Sequence, residues 1–411
     1  MQPNPTNPAG QDEKHIRRSL NLIFLVMLMD IIGLTIIIPV APYVVRRYSS
    51  EALMVTALSG LYAAMQFLAA PALGKISDRV GRRPVLLISV FGSAIGYIVF
   101  GIGGALWVLF LSRIIDGITG GNLSTASAYI ADVSTPQNRT RNFGRIGMAF
   151  GLGFILGPAL GGATSQISID APAFTAGILS LINVVLIYFL LPESLPVEKR
   201  EHTALRARDF NPLVAISEMA RKPGLGVLLL VMAIFAFAFN GANSSTNVFY
   251  VSRFTAEPWQ IGLLFMMGGG VTFTTQSWLV QPVVGRLGEK TMAIASLVAQ
   301  AAGMVLITLV PQFWLLYPIT ILQNGIGSFV WSTMGSLSAS KVAPREQGNL
   351  AGVNAALQSL MGVFGPFAAG AAFDHIMPGA PLLGAAILFA AAALIMAGVK
   401  VSRQPRPYPA S

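Results

Sequence analysis

Five ionisable side chains, Lys75, Asp78, Arg79, Arg82 and Arg83, crowd into the segment Gly74-Lys75-Ile76-Ser77-Asp78-Arg79-Val80-Gly81-Arg82-Arg83-Pro84. On either side the chain is apolar, over residues 53–73 and 84–103. At about 1.5 Å per residue each flank is long enough to cross a hydrocarbon core of about 30 Å, which the charges themselves cannot enter. The segment therefore reads as a tight loop between two membrane-spanning helices.

The same pattern runs through the chain. Apolar stretches fall at 20–40, 53–73, 84–103, 106–131, 143–164 and 173–191; a polar segment, 192–222, intervenes; six more follow at 225–248, 261–284, 292–310, 313–339, 350–373 and 382–399. With 54% apolar and only 11% charged residues, the chain is far from a soluble average of about 25% charged. The expected fold class is an all-α membrane protein with twelve transmembrane helices in two six-helix halves. In that division 1–18 is a tail, 19–191 the first half, 192–222 a linker, 223–400 the second half and 401–411 a second tail. The polar residues 1–18 lack an apolar core followed by a small-residue cleavage site, so they read as a tail and not as a signal peptide.

Charge fixes the expected orientation. All but four of the 27 Lys and Arg fall on the face shared by the termini and the linker; Arg46, Arg47 and Arg253 lie on the other, and Arg113 lies within a span. By the positive-inside rule, both termini and the linker are cytoplasmic. The net charge of +10 is thus a topological signal, and it does not point to nucleic acid.

The halves repeat. Pro71-x-x-Gly74-Lys75 recurs as Pro282-x-x-Gly285-Arg286, Asp116-Gly117 as Asn324-Gly325, and Gly157-Pro158 as Gly365-Pro366. A parallel repeat of this kind places a substrate site between the halves near the bilayer midplane.

Ionisable groups inside the spans are Asp30, Arg113 and Asp116. Each is costly at the bilayer centre, by about 2.5–3.5 kcal/mol on insertion scales, and so marks a functional candidate. Arg113 and Asp116, three residues apart on one helical face, can pair locally, either to tune a proton site or only to fix packing. Asp30 has no partner on its own helix and must face a polar cavity or a residue across the bundle. A carboxyl there can change protonation as the cavity opens to one side or the other, which is what proton coupling requires; a structural hydrogen bond is the alternative.

Helix 5 carries Gly147, Gly151, Gly157, Pro158, Gly161 and Gly162, a spacing that permits close helix approach, with a proline that bends the span. Tyr62, Gln66 and Asn122 in the first half, and Phe235, Phe239, Asn240, Asn243, Gln276, Trp331, Asn354 and Gln358 in the second, are candidates to line a mixed polar and apolar cavity. No intramembrane charge occurs in the second half, so proton work belongs to the first.

No catalytic constellation appears. Cysteine is absent, His15, His202 and His375 fall in a tail and loops, and no GxxxxGK loop is present; no metal site, no cofactor and no ATP-driven step is expected. The expected partners are the lipid bilayer, protons and a small-molecule substrate, with twelve spans sufficient for a monomer.

The loop 74–83 resembles the helix 2 to 3 signature of the major facilitator superfamily, and Arg113 followed by Gly117 is similar to its second signature. The pattern ending Gly157-Pro158-x-x-Gly161-Gly162 resembles that of its drug:proton antiporter group. Asp30 ahead of Pro39, Ala128-Tyr129-Ile130-Ala131-Asp132, Leu191-Pro192-Glu193-Ser194 and Asn211-Pro212-Leu213 resemble the tetracycline-efflux branch. The likeness covers all twelve spans. It implies alternating access by rocking of the halves, in a bacterial inner (cytoplasmic) membrane. It also implies a conformational switch made of Gly74, Asp78, Arg79, Gly81, Arg82, Arg83 and Asp132. In the outward-facing state Asp78 would sit at the amino end of helix 11, near Gly348 and Asn349, with Arg79 or Arg82 paired to Asp132.

Departures from that branch are Gly96 in place of an aspartate in helix 3, Thr272 in place of a histidine in helix 8 and Gln300 in place of an aspartate in helix 9; Gln276 matches. These losses weaken the case for a chelated metal–tetracycline, and Asp116 can supply a replacement carboxyl. The expected function is proton-coupled export of amphipathic small molecules or drugs. The alternatives are export of a lipid or sugar-like metabolite, an uncoupled facilitator, or a non-transporting membrane sensor or scaffold.

Overall fold

The computed structural model describes residues 8–135, 138–200, 212–343 and 346–399. Among them every long regular element is helical. In the first half these are α1 (Pro8–Ile36), the short α2 (Ala41–Arg46), α3 (Ala52–Val80), α4 (Arg82–Ile102), α5 (Leu106–Thr119), α6 (Asn122–Asp132), α7 (Arg139–Thr164) and α8 (Ala171–Leu190). After α9 (Pro212–Ala220) the second half comprises α10 (Leu225–Phe254), α11 (Pro258–Thr274), α12 (Val280–Leu287), α13 (Glu289–Leu309), α14 (Leu316–Gly327), α15 (Phe329–Ala339), α16 (Gln347–His375) and α17 (Ala380–Gly398). The expected linker is described except for residues 201–211; of the expected tails, 8–18 belong to α1, while 1–7 and 401–411 lie outside the described residues.

Among the described residues ten stretches are long and apolar enough to cross a membrane, including α14 with α15 as one crossing. Two others are interrupted: α5 and α6 are separated at Gly120-Gly121, and α11 and α12 by a π-helical turn over Thr275–Leu279. Large apolar side chains such as Trp107, Phe189, Ile387 and Leu394 are about two-thirds exposed or more (67, 74, 69 and 75%). A water-soluble bundle would turn such surface inward, whereas here lipid covers it.

The sequence repeat is a structural one. α4 and α13 both have 21 residues, and each starts at a glycine with positive φ, Gly81 (107°) and Gly288 (85°). Only a residue without Cβ reverses the chain there so tightly without strain. The broken pair α5–α6 is matched by α14–α15, interrupted at Ser328.

The two halves meet through α3 against α16 and α7 against α11. A methyl group on Gly370 would stand 2.1 Å from Thr56 Oγ1, and one on Gly60 2.8 Å from Phe367; Ala63 comes near Gly362. Along the other seam, a methyl on Gly262 would lie 2.4 Å from the Pro158 carbonyl, and one on Gly151 2.6 Å from Phe273. These approaches occupy the parts of the helices away from the face where α1 begins and α17 ends, termed here the terminal face. Asn247 Nδ2 donates to the Ile38 carbonyl (3.2 Å) and Tyr43 donates to the Ala256 carbonyl, both also on the distal face. Towards the terminal face Gly348 and Gly352 meet nothing within 4 Å, and Gly74 meets only Ser124 of its own half. The bundle is closed distally and open at the terminal face.

Candidate functional site

The break at Gly120-Gly121 positions the site. Gln66 of α3 donates to the Gly120 carbonyl (2.8 Å) and to the Tyr62 hydroxyl (3.2 Å), satisfying backbone that the broken helix frees. On the α5 side of the break, Arg113 and Asp116 are 6% and 1% exposed. Arg113 Nη1 donates to Asp116 Oδ2 (3.2 Å), and its guanidinium lies over the rings of Phe100 (4.9 Å) and Tyr97 (5.6 Å). The other terminal nitrogen, Nη2, is buried with no hydrogen-bond partner. Delocalised charge over aromatic faces suits a weakly hydrated guanidinium and would suit an ammonium less well.

On the α6 side, Asn122 is buried, and its side chain lies against the carboxylate of half-buried Asp30 from α1. Asp116 is near enough for the two carboxylates to repel. Tyr62 faces both, and Ser93 of α4 lies against Asp116. Asp30, Arg113 and Asp116, drawn from two helices, thus form one cluster with Asn122 and Tyr62. Gly96 of α4 packs directly on it: a methyl there would stand 2.9 Å from Asp116 Cβ. Asp116 therefore fills the space into which a side chain at position 96 would project.

The aromatic and serine surroundings of the cluster, Tyr97, Phe100, Ser93 and Ser112, carry no charge or special spacing in the sequence. Only tertiary packing singles them out. Gly92 and Gly96 of α4, on which Thr119 and Asp116 of α5 pack, are what lets the two helices approach.

The charged loop is organised by one arginine. Arg82 bonds Asp132 through Nε (3.0 Å), Ser77 through Nη1 (2.7 Å) and Asp78. Arg82, one of the two expected partners of Asp132, makes that bond. Glu193 accepts the backbone N–H groups of Arg82 (2.9 Å) and Arg83 (3.1 Å), capping α4 across 110 residues of chain. Arg83 donates to the Tyr188 carbonyl at the end of α8, where the helix dipole favours a cation. Asp78, bonded within its own half, does not cap α16 in this conformation.

In α7, Gly151, Gly157, Gly161 and Gly162 each touch a neighbouring helix, whereas Gly147 faces open space. Gly157 and Gly161 press on α1 at Thr35 and Ile36; Gly162 meets Trp259 of α11.

The cavity candidates of the second half divide. Phe235 is fully buried in the core of that half, against Phe239, Trp331 and Phe389, so it supports the wall and does not line it. Phe239, Asn240, Asn243, Trp331, Asn354 and Gln358 are half-buried, and Gln276 is exposed. Asn240 bonds the Ala236 carbonyl of its own helix, and Gln276 bonds the Ser328 carbonyl (2.7 Å). Gln300 and Gln323, buried between α13 and α14, bond one another (2.9 Å). Among the described residues, no group of three or more His, Asp or Glu is placed to hold a metal.

The model of the Major Facilitator Superfamily matches residues 23–281 and 271–411. The tetracycline resistance protein, class C, of Escherichia coli is 35% identical over 82% of this chain and 85% of its own. The class D protein of Salmonella ordonez is 33% identical over 95% of this chain and 98% of its own. The crystal structure of the human organic anion transporter MFSD10 (TETRAN) superposes with a TM-score of 0.69 at 26% identity, covering 93% of this chain and 99% of that one.

Proposed function

Because the chain belongs to the Major Facilitator Superfamily, we propose that it is a proton-coupled exporter of amphipathic small molecules that works by alternating access. Its multi-pass fold would reside in a bacterial inner membrane, with both termini and the linker on the cytoplasmic side. The terminal face, open here, is then the face from which substrate enters. A monomer holds a complete pathway between its two six-helix halves.

The observation that carries this reading is the charge count of the buried cluster. Arg113 balances Asp116, with which it bonds, and leaves Asp30 over. An uncompensated charge at this depth is expensive, so the cluster is close to neutral only when Asp30 holds a proton or a cation stands beside it. Proton and cationic substrate then compete for one carboxylate, and that competition is the requirement of antiport. Tyr62, Asn122 and the half-buried polar and aromatic residues of α10, α15 and α16 offer such a substrate hydrogen bonds and apolar contact. The names of the bacterial relatives, tetracycline resistance proteins, support drug-like molecules as cargo. Asp116, seated against Gly96, supplies the carboxyl that the likeness to those proteins would place on α4.

The test is proton movement in proteoliposomes holding an internal pH dye, with lipophilic cations, tetracycline and neutral drugs added in turn. Substrate-triggered proton flux that vanishes in Asp30→Asn is expected. Substrate flux without proton movement would make the protein a facilitator, and an unaffected Asp30→Asn would move coupling to Asp116.

A further inference from the structure

We propose that Asp374 is the positioning residue that holds the distal face closed, by clamping the amino end of α3 to the carboxyl end of α16, and that its release is a step of the transport cycle. The proposal rests on the alternating-access reading above. Asp374 Oδ1 accepts the N–H of Ala52 (2.9 Å) and Oδ2 that of Leu53 (2.8 Å). These are first-turn amides of α3, which have no partner within the helix and sit at the positive end of its dipole. A carboxylate taking two of them makes charge-assisted bonds in the geometry of a helix cap. This cap comes from the other half of the molecule. Glu51, the residue that precedes α3 and could have capped it, makes no such bond.

The second seam is built differently. At the amino end of α11 the cap is internal: Glu257 and Gln260 form a reciprocal capping box. Parting α7 from α11 breaks no cap, whereas parting α3 from α16 at the distal face must break the Asp374 bonds. The clamp therefore bears on one seam only.

The register of α3 against α16 gives the clamp a counterpart. Thr56 faces Gly370, Gly60 faces Phe367 and Ala63 faces Gly362, so the two helices run antiparallel in a register that holds to within about a residue. Continued to the terminal face, the same register sets Gly74 opposite Gly352 and Asp78 opposite Gly348, positions at which α16 is bare in this conformation. Each helix thus carries a carboxylate in its last turn, opposite the amino end of the other. Here Asp374 is engaged and Asp78 is turned to Arg82.

The chain has no cysteine, so single reporters can be added. Thr56→Cys lies buried in the closed seam, and Gly352→Cys lies exposed on the open stretch of the same seam. With a bulky maleimide and purified protein in nanodiscs, Asp374→Ala should speed alkylation of the Thr56→Cys reporter about three- to tenfold and slow that of the Gly352→Cys reporter. Asp374→Glu should restore both rates, and turnover in proteoliposomes should fall in the alanine variant with KM little changed. An unchanged Thr56→Cys rate overturns the clamp, and so does a rise at both reporters, which would mean a loosened fold. The reporters need neither substrate nor proton gradient: opposite shifts alongside substrate flux without proton movement would keep the clamp and refute the coupling.

Discussion

The interiors of the two halves share a skeleton and differ in charge. Gln66 bonds the carbonyl of Gly120 at the break between α5 and α6, and Gln276 bonds that of Ser328 at the break between α14 and α15 (2.8 and 2.7 Å). Where the first half has Arg113 and Asp116, however, the second has Ile321 and Asn324 at the same offset of the repeat. Its buried polar pair, Gln300 with Gln323, is neutral. The repeat preserves what holds a broken helix together, while the buried acid–base pair occurs in the first half alone among the described residues. A buried charge costs several kcal/mol unless paired, whereas the amide pair of the second half satisfies itself without any charge to desolvate.

The contrast is most exposed at Arg113. Arg113→Ala leaves Asp116 and Asp30 without a counter-charge and should cost about 3–5 kcal/mol, the range for breaking a buried pair. It should show as a large drop in thermal unfolding temperature and yield. Asp116→Ala added to it should recover most of the loss. Ile321→Ala, at the equivalent position, should cost far less, and equal losses would mean that Arg113 only packs.

A smaller effect separates the glycines beneath each site. A methyl on Gly96 would meet Asp116 Cβ at 2.9 Å and the Ser112 carbonyl at 3.1 Å, neither of which can swing away. A methyl on Gly303 would meet the side chain of Gln323 at Cδ (2.5 Å) and Cγ (2.6 Å), which can shift at the expense of its neutral bond to Gln300. Gly96→Ala should therefore cost about 1–3 kcal/mol, as overpacking does, and reduce proton flux, with Gly303→Ala the milder of the two by the same unfolding assay. A reversed order would place the rigid contact in the wrong half.

The smallest difference is expected at the glutamine struts. Gln66→Leu and Gln276→Leu each strand one carbonyl at a helix break, and each should cost about 1–2 kcal/mol. If unfolding temperatures fall by clearly unequal amounts, the two breaks are not energetic equivalents and the symmetry is one of shape alone.

Much of this molecule was legible because the bilayer simplifies the code. Hydrocarbon excludes unpaired charge and unsatisfied backbone, so the apolar runs marked the spans and the charged loop 74–84 had to lie outside. The relation of Asp116 to Asn324 could be read from spacing for the same reason: in a repeat built of helices, offset along the chain is offset in space. Asp30 stood out as an unpaired acid in an apolar run. Its neighbours did not, because Tyr97, Phe100 and Ser93 are ordinary residues on a different helix. Phe235 was misplaced on the cavity wall, since sequence does not distinguish an aromatic that faces the opening from one a turn away that supports it.

By itself the sequence determined the all-helical membrane fold, its division into two repeated halves and the confinement of charge to the first, because each follows from where water and ions cannot go. The tertiary structure decided the assembly of Asp30, Arg113, Asp116 and Asn122 into one site, the seating of Asp116 on Gly96, and the closure of the distal face through Asp374. These depend on the register between helices far apart in the chain. Local preference does not encode that register; the packing of small residues across the seams fixes it.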